Sequence, residues 1–175
     1  MSWIFSLSAE CGEEQTAAEQ FSDYFNRASW ILSNKNQSQC QTGIFQDIED
    51  NWWCRVTPSG IAEVGIDKPE TAYIMTEIGI LLYQHLRFAP KFRYALVGLE
   101  VDEFRTYNEL LEESSPQSFP GLVLAETIWQ LVGSPPDFRL FSSGYVWKPY
   151  QGEVYQPLMV SSDLKNKLNE LLSVG

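Results

Sequence analysis

The feature that most constrains this chain is the apolar run YALVGLEV at residues 94–101, which charged residues bound on both sides. A strand with one face in water alternates apolar and polar side chains. A nearly continuous apolar run of this length is instead typical of a strand that is covered on both faces. The run therefore predicts an interior strand in the middle of a sheet.

A long apolar helix is predicted shortly before this strand. The segment DKPETAYIMTEIGILLYQHLRFAP, residues 67–90, opens with Asp67 as a candidate N-cap, and Glu70 follows at the spacing of a capping box. The helix is expected to end before Pro90. Its apolar residues leave little polar face, so we expect a central helix that is covered on more than one side.

The other segments mix strand and helix patterns along the chain. Strand patterns lie at residues 3–9, 44–48, 52–56 and 138–158, and helix patterns lie at residues 12–33, 103–114, 122–133 and 161–172. The polar run NKNQSQCQTG, residues 34–43, is interpreted as a loop. This order predicts a single α+β domain over residues 1–175, with a mainly antiparallel or mixed sheet and helices packed mostly on one face.

The charge balance argues against binding to nucleic acid. The chain has 12 Lys and Arg residues against 23 Asp and Glu residues, a formal net charge of -11. Duplex binding needs clustered cations that displace counterions. Here the basic residues are scattered, apart from the pairs Lys91/Arg93 and Lys165/Lys167. We therefore predict no nucleic-acid partner, whereas an acidic surface suits a basic protein.

Membrane and export signals are also missing from the sequence. No apolar run approaches the length of a membrane span, and the N-terminal MSWIFSLSAECGEEQ lacks the basic flank and long apolar stretch of a signal peptide. The expectation is a cytoplasmic protein that does not contact a membrane.

The sequence contains no recognisable catalytic or cofactor motif. Cys11, Cys40 and Cys54 match neither a CxxC pair nor a zinc framework, so we predict three free thiols. A nucleophilic pair of Cys54 and His85 is conceivable. A lone histidine on an apolar helix face is more typical of a structural residue, however. We predict no catalytic residue and no cofactor.

Three carboxylates follow the apolar strand at Glu100, Asp102 and Glu103. Alternate carboxylates at a strand end could share a divalent cation or a basic partner. Asp102 could equally cap the next helix while the two glutamates remain solvated. Because no calcium-loop motif or histidine ligand accompanies them, we predict no metal site.

The aromatic segment FRLFSSGYVWKPYQGEVYQPL, residues 138–158, supplies the candidate binding residues Tyr145, Trp147, Lys148, Tyr150 and Tyr155. Alternation along a strand directs aromatic rings to both sides of the sheet. Either the rings belong to the core, or one row is exposed on a strand edge that binds a partner.

Two functional hypotheses follow. The first is a non-catalytic interaction or regulatory protein that uses its acidic surface and the 138–158 aromatic residues to hold a protein partner, for example as an inhibitor of a basic protein. The second is a small-ligand-binding protein or enzyme with a pocket between the central helix (70–88), the 94–102 strand and the 138–158 hairpin. The single histidine and the lack of motifs favour the first.

Overall fold

The computed structural model describes residues 5–60, 69–99, 101, 105–112, 119–153, 157 and 161–172. Within these residues the chain forms eight strands and five helices. The strands are β1 (Phe5–Gly12), β2 (Ser29–Ile31), β3 (Gln37–Gln46), β4 (Trp52–Pro58), β5 (Tyr94–Leu99), β6 (Val123–Ala125), β7 (Arg139–Ser142) and β8 (Tyr145–Trp147). The helices are α1 (Gln15–Phe25), α2 (Pro69–Leu86), α3 (Tyr107–Glu112), α4 (Glu126–Leu131) and α5 (Ser162–Leu172).

All the described strands join one sheet in the order β2-β3-β4-β1-β5-β6-β8-β7. Every neighbouring pair is antiparallel. The strands β1 and β5 lie side by side in the middle of the sheet, which confirms the interior strand predicted from the apolar run. The architecture is the α+β fold that the sequence predicts.

Helices cover both faces of the sheet, but unequally. All eight residues of β1 are buried, so neither of its faces meets water. Leu7 and Ala9 belong to a core cluster with apolar residues of α1, α2 and α5. A second cluster joins Trp53 and Tyr94 to apolar residues of the short helices α3 and α4. The three long helices therefore share one face, as predicted.

The central helix is confirmed as α2, which has 18 residues. Met75, Ile78 and Leu82 are fully buried in it, because it packs under the sheet and against α5. The candidate cap Asp67 lies outside the described residues. No described helix has both the length and the apolar character needed to cross a membrane.

The prediction of a loop at residues 34–43 is wrong from Gln37 onward. This part of the chain begins β3, which pairs with β2 on one side and β4 on the other. Its polar composition conceals the alternation, because the inward positions are the small residues Ser38 and Cys40 and the outward ones are glutamines. Small inward side chains suit a strand that packs closely against a helix.

Two predicted helices also change. The helix at residues 12–33 ends at Phe25, because Arg27 adopts a left-handed conformation (φ 68°) and the chain turns back as β2. The helix at residues 122–133 begins with strand β6, which is paired on both sides, and only then continues as α4. Apolar residues fit either period over so short a run.

Candidate functional site

The structure divides the predicted aromatic residues between core and surface. Trp147 is 0% exposed and Tyr150 is 3% exposed. Their ring centroids lie 5.0 and 5.1 Å from that of Tyr83 on α2. The core explanation therefore holds for Trp147 and Tyr150. Tyr155 lies outside the described residues.

The hairpin is placed differently from the predicted binding edge. The strand β8 lies between β6 and β7, so the outer strand at this end of the sheet is β7. Lys148, which follows β8, is half-buried, and its backbone N–H donates to the carbonyl of Leu122. The alternative of an exposed strand edge within residues 138–158 therefore does not apply to β8.

The pocket predicted between α2, β5 and the hairpin involves residues outside the described ranges, and the described side chains between these elements are closely packed. Tyr83, Phe141, Trp147 and Tyr150 fill that space with aromatic contacts. The hydroxyl of Tyr83 accepts from the N–H of Val97 at 3.2 Å, which ties α2 to β5. These side chains form a packed core between the three elements.

A cleft lies instead at the end of the sheet where β5 begins, β6 ends and β8 begins. We call it the Tyr145 cleft, and its volume is about 570 Å³. It is lined by Lys91, Phe92, Arg93, Tyr107, Ala125, Glu126, Thr127, Ile128, Gln130, Leu131, Gly144 and Tyr145. A volume of this size is typical of a site for a small ligand or a short chain segment.

Tyr145 fixes one wall of this cleft through Phe92. The two rings stack with centroids 4.4 Å apart and planes 14° apart. The hydroxyl of Tyr145 donates to the Phe92 carbonyl at 2.9 Å and accepts from the Phe92 N–H at 3.2 Å. Burial raises the pKa of Tyr145. The phenol thus stays neutral and holds the backbone between Lys91 and Arg93.

A buried ion pair lies at the base of the same wall. Glu10, at the end of β1, is 0% exposed, and Arg93 donates from Nε to its Oε1 at 2.7 Å and from Nη2 to its Oε2. Burial raises the pKa of Glu10, while the hydrogen bond and charge of Arg93 lower it. The guanidinium carbon also lies 3.8 Å from the ring centroid of Tyr107. Arg93 is therefore held on two sides.

Gly12, at the end of β1, lies beside Arg93. Gly12 has a φ of 92°, and a Cβ built there would lie 3.5 Å from Arg93 Nε. The left-handed conformation favours glycine at this position. The backbone conformation therefore explains the glycine, and a Cβ here would make only an ordinary contact with Arg93.

The opposite wall of the cleft is α4. Ile128 faces inward and is buried, whereas Thr127, Gln130 and Leu131 are exposed. Leu131 is 66% exposed although it is a large apolar residue. The α4 wall thus carries the exposed Leu131 together with the carboxylate of Glu126, and the facing wall carries the cations Lys91 and Arg93.

The reactive side chains of the chain lie elsewhere. All three cysteines are free and buried, which confirms the prediction of three free thiols. Burial raises the pKa of Cys40 and of Cys54 to about 12, and it also raises that of Cys11. A thiol of this kind is almost fully protonated at neutral pH and is a poor nucleophile.

The ring contacts of His85 are with aromatic side chains, and the conceivable pair with Cys54 is not among them. Its ring stacks on Tyr24 with centroids 4.2 Å apart and meets Phe25 and Trp30 edge-on. Its Nε2 lies 3.4 Å from the Tyr24 carbonyl oxygen, and burial lowers its pKa. These contacts give His85 a structural role between α1 and α2.

Among the described residues, no group of three or more His, Cys, Asp or Glu side chains could hold a metal ion. The carboxylates Glu100, Asp102 and Glu103 lie outside the described residues.

Of the candidate binding residues that the structure describes, Tyr145 alone lines the cleft. In the sequence, Lys91 and Arg93 are only a basic pair, and no local pattern indicates that Leu131 is exposed. The cleft depends on long-range pairing of β1, β5, β6 and β8, which no local pattern reveals. No known protein family, curated protein or solved structure matches the chain.

Proposed function

We propose that this is a non-catalytic interaction protein that holds a segment of a protein partner in the Tyr145 cleft. The observation that carries the proposal is the exposed Leu131 on the rim of a cleft whose facing wall is held rigidly by Tyr145 and by the pair of Glu10 and Arg93. Ligand clefts commonly combine apolar lining residues with a few polar groups held in fixed positions.

The chemistry of the described residues favours binding over catalysis. An activated nucleophile needs a lowered pKa or an adjacent base, and the three thiols have raised pKa values. His85 has aromatic neighbours on several sides. The residues that line the cleft include no histidine or cysteine, and Glu126 is the one carboxylate among them.

The net charge of -11 supports a partner that is basic overall. An acidic protein attracts a basic partner over long range and accelerates their encounter. Many exposed carboxylates contribute to this field, including Glu13, Glu14, Glu19 and Asp23 near and on α1. Regulation of a basic protein, including its inhibition, is consistent with such steering, while the cleft would supply the specific contact.

Site-directed photocrosslinking tests the proposal. Thr127 is exposed in the cleft, and the native thiols are buried, so Thr127→Cys can be labelled selectively with a benzophenone maleimide. The matched control is Asn166→Cys on α5, which packs against the other face of the sheet. Both labelled proteins are irradiated in extract from the native source.

The expected result is one protein that is trapped from position 127 and not from position 166. Adding Leu131→Ser to the labelled protein should reduce this product. Equal trapping from both positions, or a product that is insensitive to Leu131→Ser, would contradict the proposal.

The volume of the cleft also favours a second candidate, a small-ligand-binding protein. About 570 Å³ lies within the range of small-molecule pockets. Native mass spectrometry of protein purified from its source distinguishes the two candidates. A stoichiometric small-molecule adduct that Leu131→Ser removes would favour the small ligand over a protein segment.

A further inference from the structure

We infer that the Tyr145 cleft receives the C-terminal end of its partner, with the terminal carboxylate bound by Arg93 and Lys91 and an apolar last side chain against Ile128 and Leu131. This inference rests on the proposed function and names the chemistry of the segment that is bound.

Arg93 has N–H donors that Glu10 does not engage. A guanidinium carries five N–H donors in a planar fork. Glu10 takes one from Nε and one from Nη2. The other edge, formed by Nη1 and the second hydrogen of Nη2, has no acceptor among the described residues, and the Arg93 side chain is 25% exposed. That edge has the geometry to bind a second carboxylate with two parallel hydrogen bonds.

The side chain of Arg93 is held in place without a ligand. Glu10 holds one edge of the guanidinium, and the ring of Tyr107 covers one of its faces. Little side-chain entropy remains to be lost when a ligand binds, and such preorganisation increases affinity.

Two cationic side chains, Lys91 and Arg93, line the cleft together. Lys91 is exposed two residues before Arg93, and it lines the same cavity. Glu10 is fully buried and already neutralised by Arg93. The wall formed by residues 91–93 therefore presents two cations, and Glu126 on α4 is the one carboxylate among the lining residues, in a chain whose net charge is -11. A carboxylate complements this wall and is repelled by most of the remaining surface.

The small size of the cleft favours a C-terminal carboxylate over the side-chain carboxylate of an internal residue. The cavity of about 570 Å³ is of the size that encloses a small ligand, whereas standard protein interfaces extend over much larger surfaces. At a C-terminus, the carboxylate and the last side chain branch from the same Cα. Both groups can then lie in one small cleft, in the manner of other domains that capture C-terminal carboxylates.

The test compares probe peptides that differ in one group. Acetyl-glycyl-leucine carries a terminal carboxylate, acetyl-glycyl-leucinamide lacks it, and acetyl-glutamyl-leucinamide places a carboxylate on a side chain. Each is titrated into the 15N-labelled full chain, and dissociation constants are taken from the amide shifts of residues that line the cleft, including Ala125 and Leu131. We expect the free acid to bind about tenfold or more tightly than the amide, because charge-assisted hydrogen bonds are lost in the amide.

Variants then locate the carboxylate. Lys91→Gln should weaken binding of the acid several-fold and leave that of the amide unchanged. Lys165→Gln, which removes the same charge from an exposed site on α5, should change neither. Arg93→Lys keeps a cation opposite Glu10 but removes the fork, and it should weaken binding of the acid further. Thermal unfolding of each variant shows whether the fold is intact.

Equal affinities for the acid and the amide would overturn the inference, as would an effect of Lys165→Gln equal to that of Lys91→Gln. Equal or tighter binding of the glutamyl amide would identify a side-chain carboxylate and overturn the assignment to a C-terminus. Trapping of a partner from position 127 with no preference for the acid would remove this inference alone. Tight binding of the acid with no trapped protein would instead remove the proposed function and leave a site for small carboxylic acids.

Discussion

The hydroxyl of Tyr145 on β8 is bonded to both backbone groups of Phe92, as donor to its carbonyl at 2.9 Å and as acceptor from its N–H at 3.2 Å. The Tyr145 side chain thus satisfies the backbone N–H and carbonyl of Phe92, as the backbone of a neighbouring strand usually does. Phe92 lies between the two cations of the cleft, so the position of that wall depends on a hydroxyl from a different strand.

Tyr145→Phe tests this relationship. The substitution keeps the stacked ring but leaves two backbone groups of a buried residue without their partner, so we expect the free energy of unfolding to fall by about 1–3 kcal/mol. Urea unfolding measures the loss. Tyr73→Phe is the matched control, because the Tyr73 hydroxyl bonds to no described residue and its loss should change stability little. Equal effects of the two substitutions would show that the Phe92 contacts contribute nothing.

A second prediction concerns the contact of α2 with Tyr150. A Cβ built on Gly79 would lie 2.6 Å from the Tyr150 hydroxyl oxygen. Replacing glycine by alanine inside a helix normally gains about 1 kcal/mol. Here the overpacking should exceed this gain, because a buried clash costs about 1–3 kcal/mol.

Gly79→Ala is therefore expected to lower the thermal midpoint of unfolding. The control is Gly43→Ala on β3, where a Cβ would meet nothing within 4 Å. Gly43→Ala should be neutral or slightly stabilising. A rise in midpoint for Gly79→Ala would mean that Tyr150 moves aside at no cost.

A pH dependence is expected from Glu153. Its Oε2 accepts from the Tyr150 hydroxyl at 2.6 Å, and burial raises its pKa above the ordinary value of 4.5 although that hydrogen bond lowers it. The folded chain thus binds this proton more tightly than the unfolded chain. The contribution to stability is complete below about pH 4.5 and is lost as the pH rises through the folded-state pKa.

Glu153→Gln removes this titration and retains an oxygen that can accept from Tyr150. We expect the variant to be at least as stable as the wild type at pH 7, and its advantage to shrink or reverse below about pH 4.5. Urea unfolding at both pH values measures the difference. Glu19→Gln, on the exposed face of α1, controls for the change in net charge. An advantage that grows as the pH falls would show that folding lowers the pKa of Glu153.

The sequence predicted the fold class because its strongest patterns are long and unambiguous. The apolar run at 94–101 and the helix at 67–90 each have one physical solution, a covered strand and a covered helix. The wrong assignments of secondary structure lie in short segments whose apolar residues fit both the helical and the strand periodicity. Val123 and Leu124 fit a helix in sequence, but pairing with β5 and β8 makes them a strand.

The site was less predictable than the fold. Tyr145 and Trp147 lie on the same side of one strand, yet only Tyr145 reaches the cleft, because Trp147 meets Tyr83 under the sheet. The alternation of side chains along a strand predicts which face of the sheet each one lies on. It does not predict which positions on that face are covered by helices. Coverage depends on where α2 and α4 end, and the sequence locates those ends only approximately.

The thiols provide a fourth prediction. Cys11, Cys40 and Cys54 are buried, and burial raises the pKa of each. We expect almost no reaction with Ellman's reagent at pH 8 in the folded protein and the release of three equivalents in urea. Rapid reaction of any native thiol would mean that its covering elements open readily. Fewer than three equivalents after unfolding would reveal a disulfide or a modification.

The last prediction separates core from surface among the residues near the cleft. Trp147 is fully buried between Tyr83 and Phe141, so Trp147→Ala should lower the free energy of unfolding by about 3–5 kcal/mol through lost burial and the cavity left behind. Leu131→Ala removes a mostly exposed side chain and should change that free energy by no more than about 0.5 kcal/mol. Binding of acetyl-glycyl-leucine should respond in the opposite order, since Leu131 contributes to the cleft and Trp147 does not. A stability loss at Leu131 comparable to that at Trp147 would show that Leu131 is a core residue, and the apolar rim of the cleft would have to be abandoned.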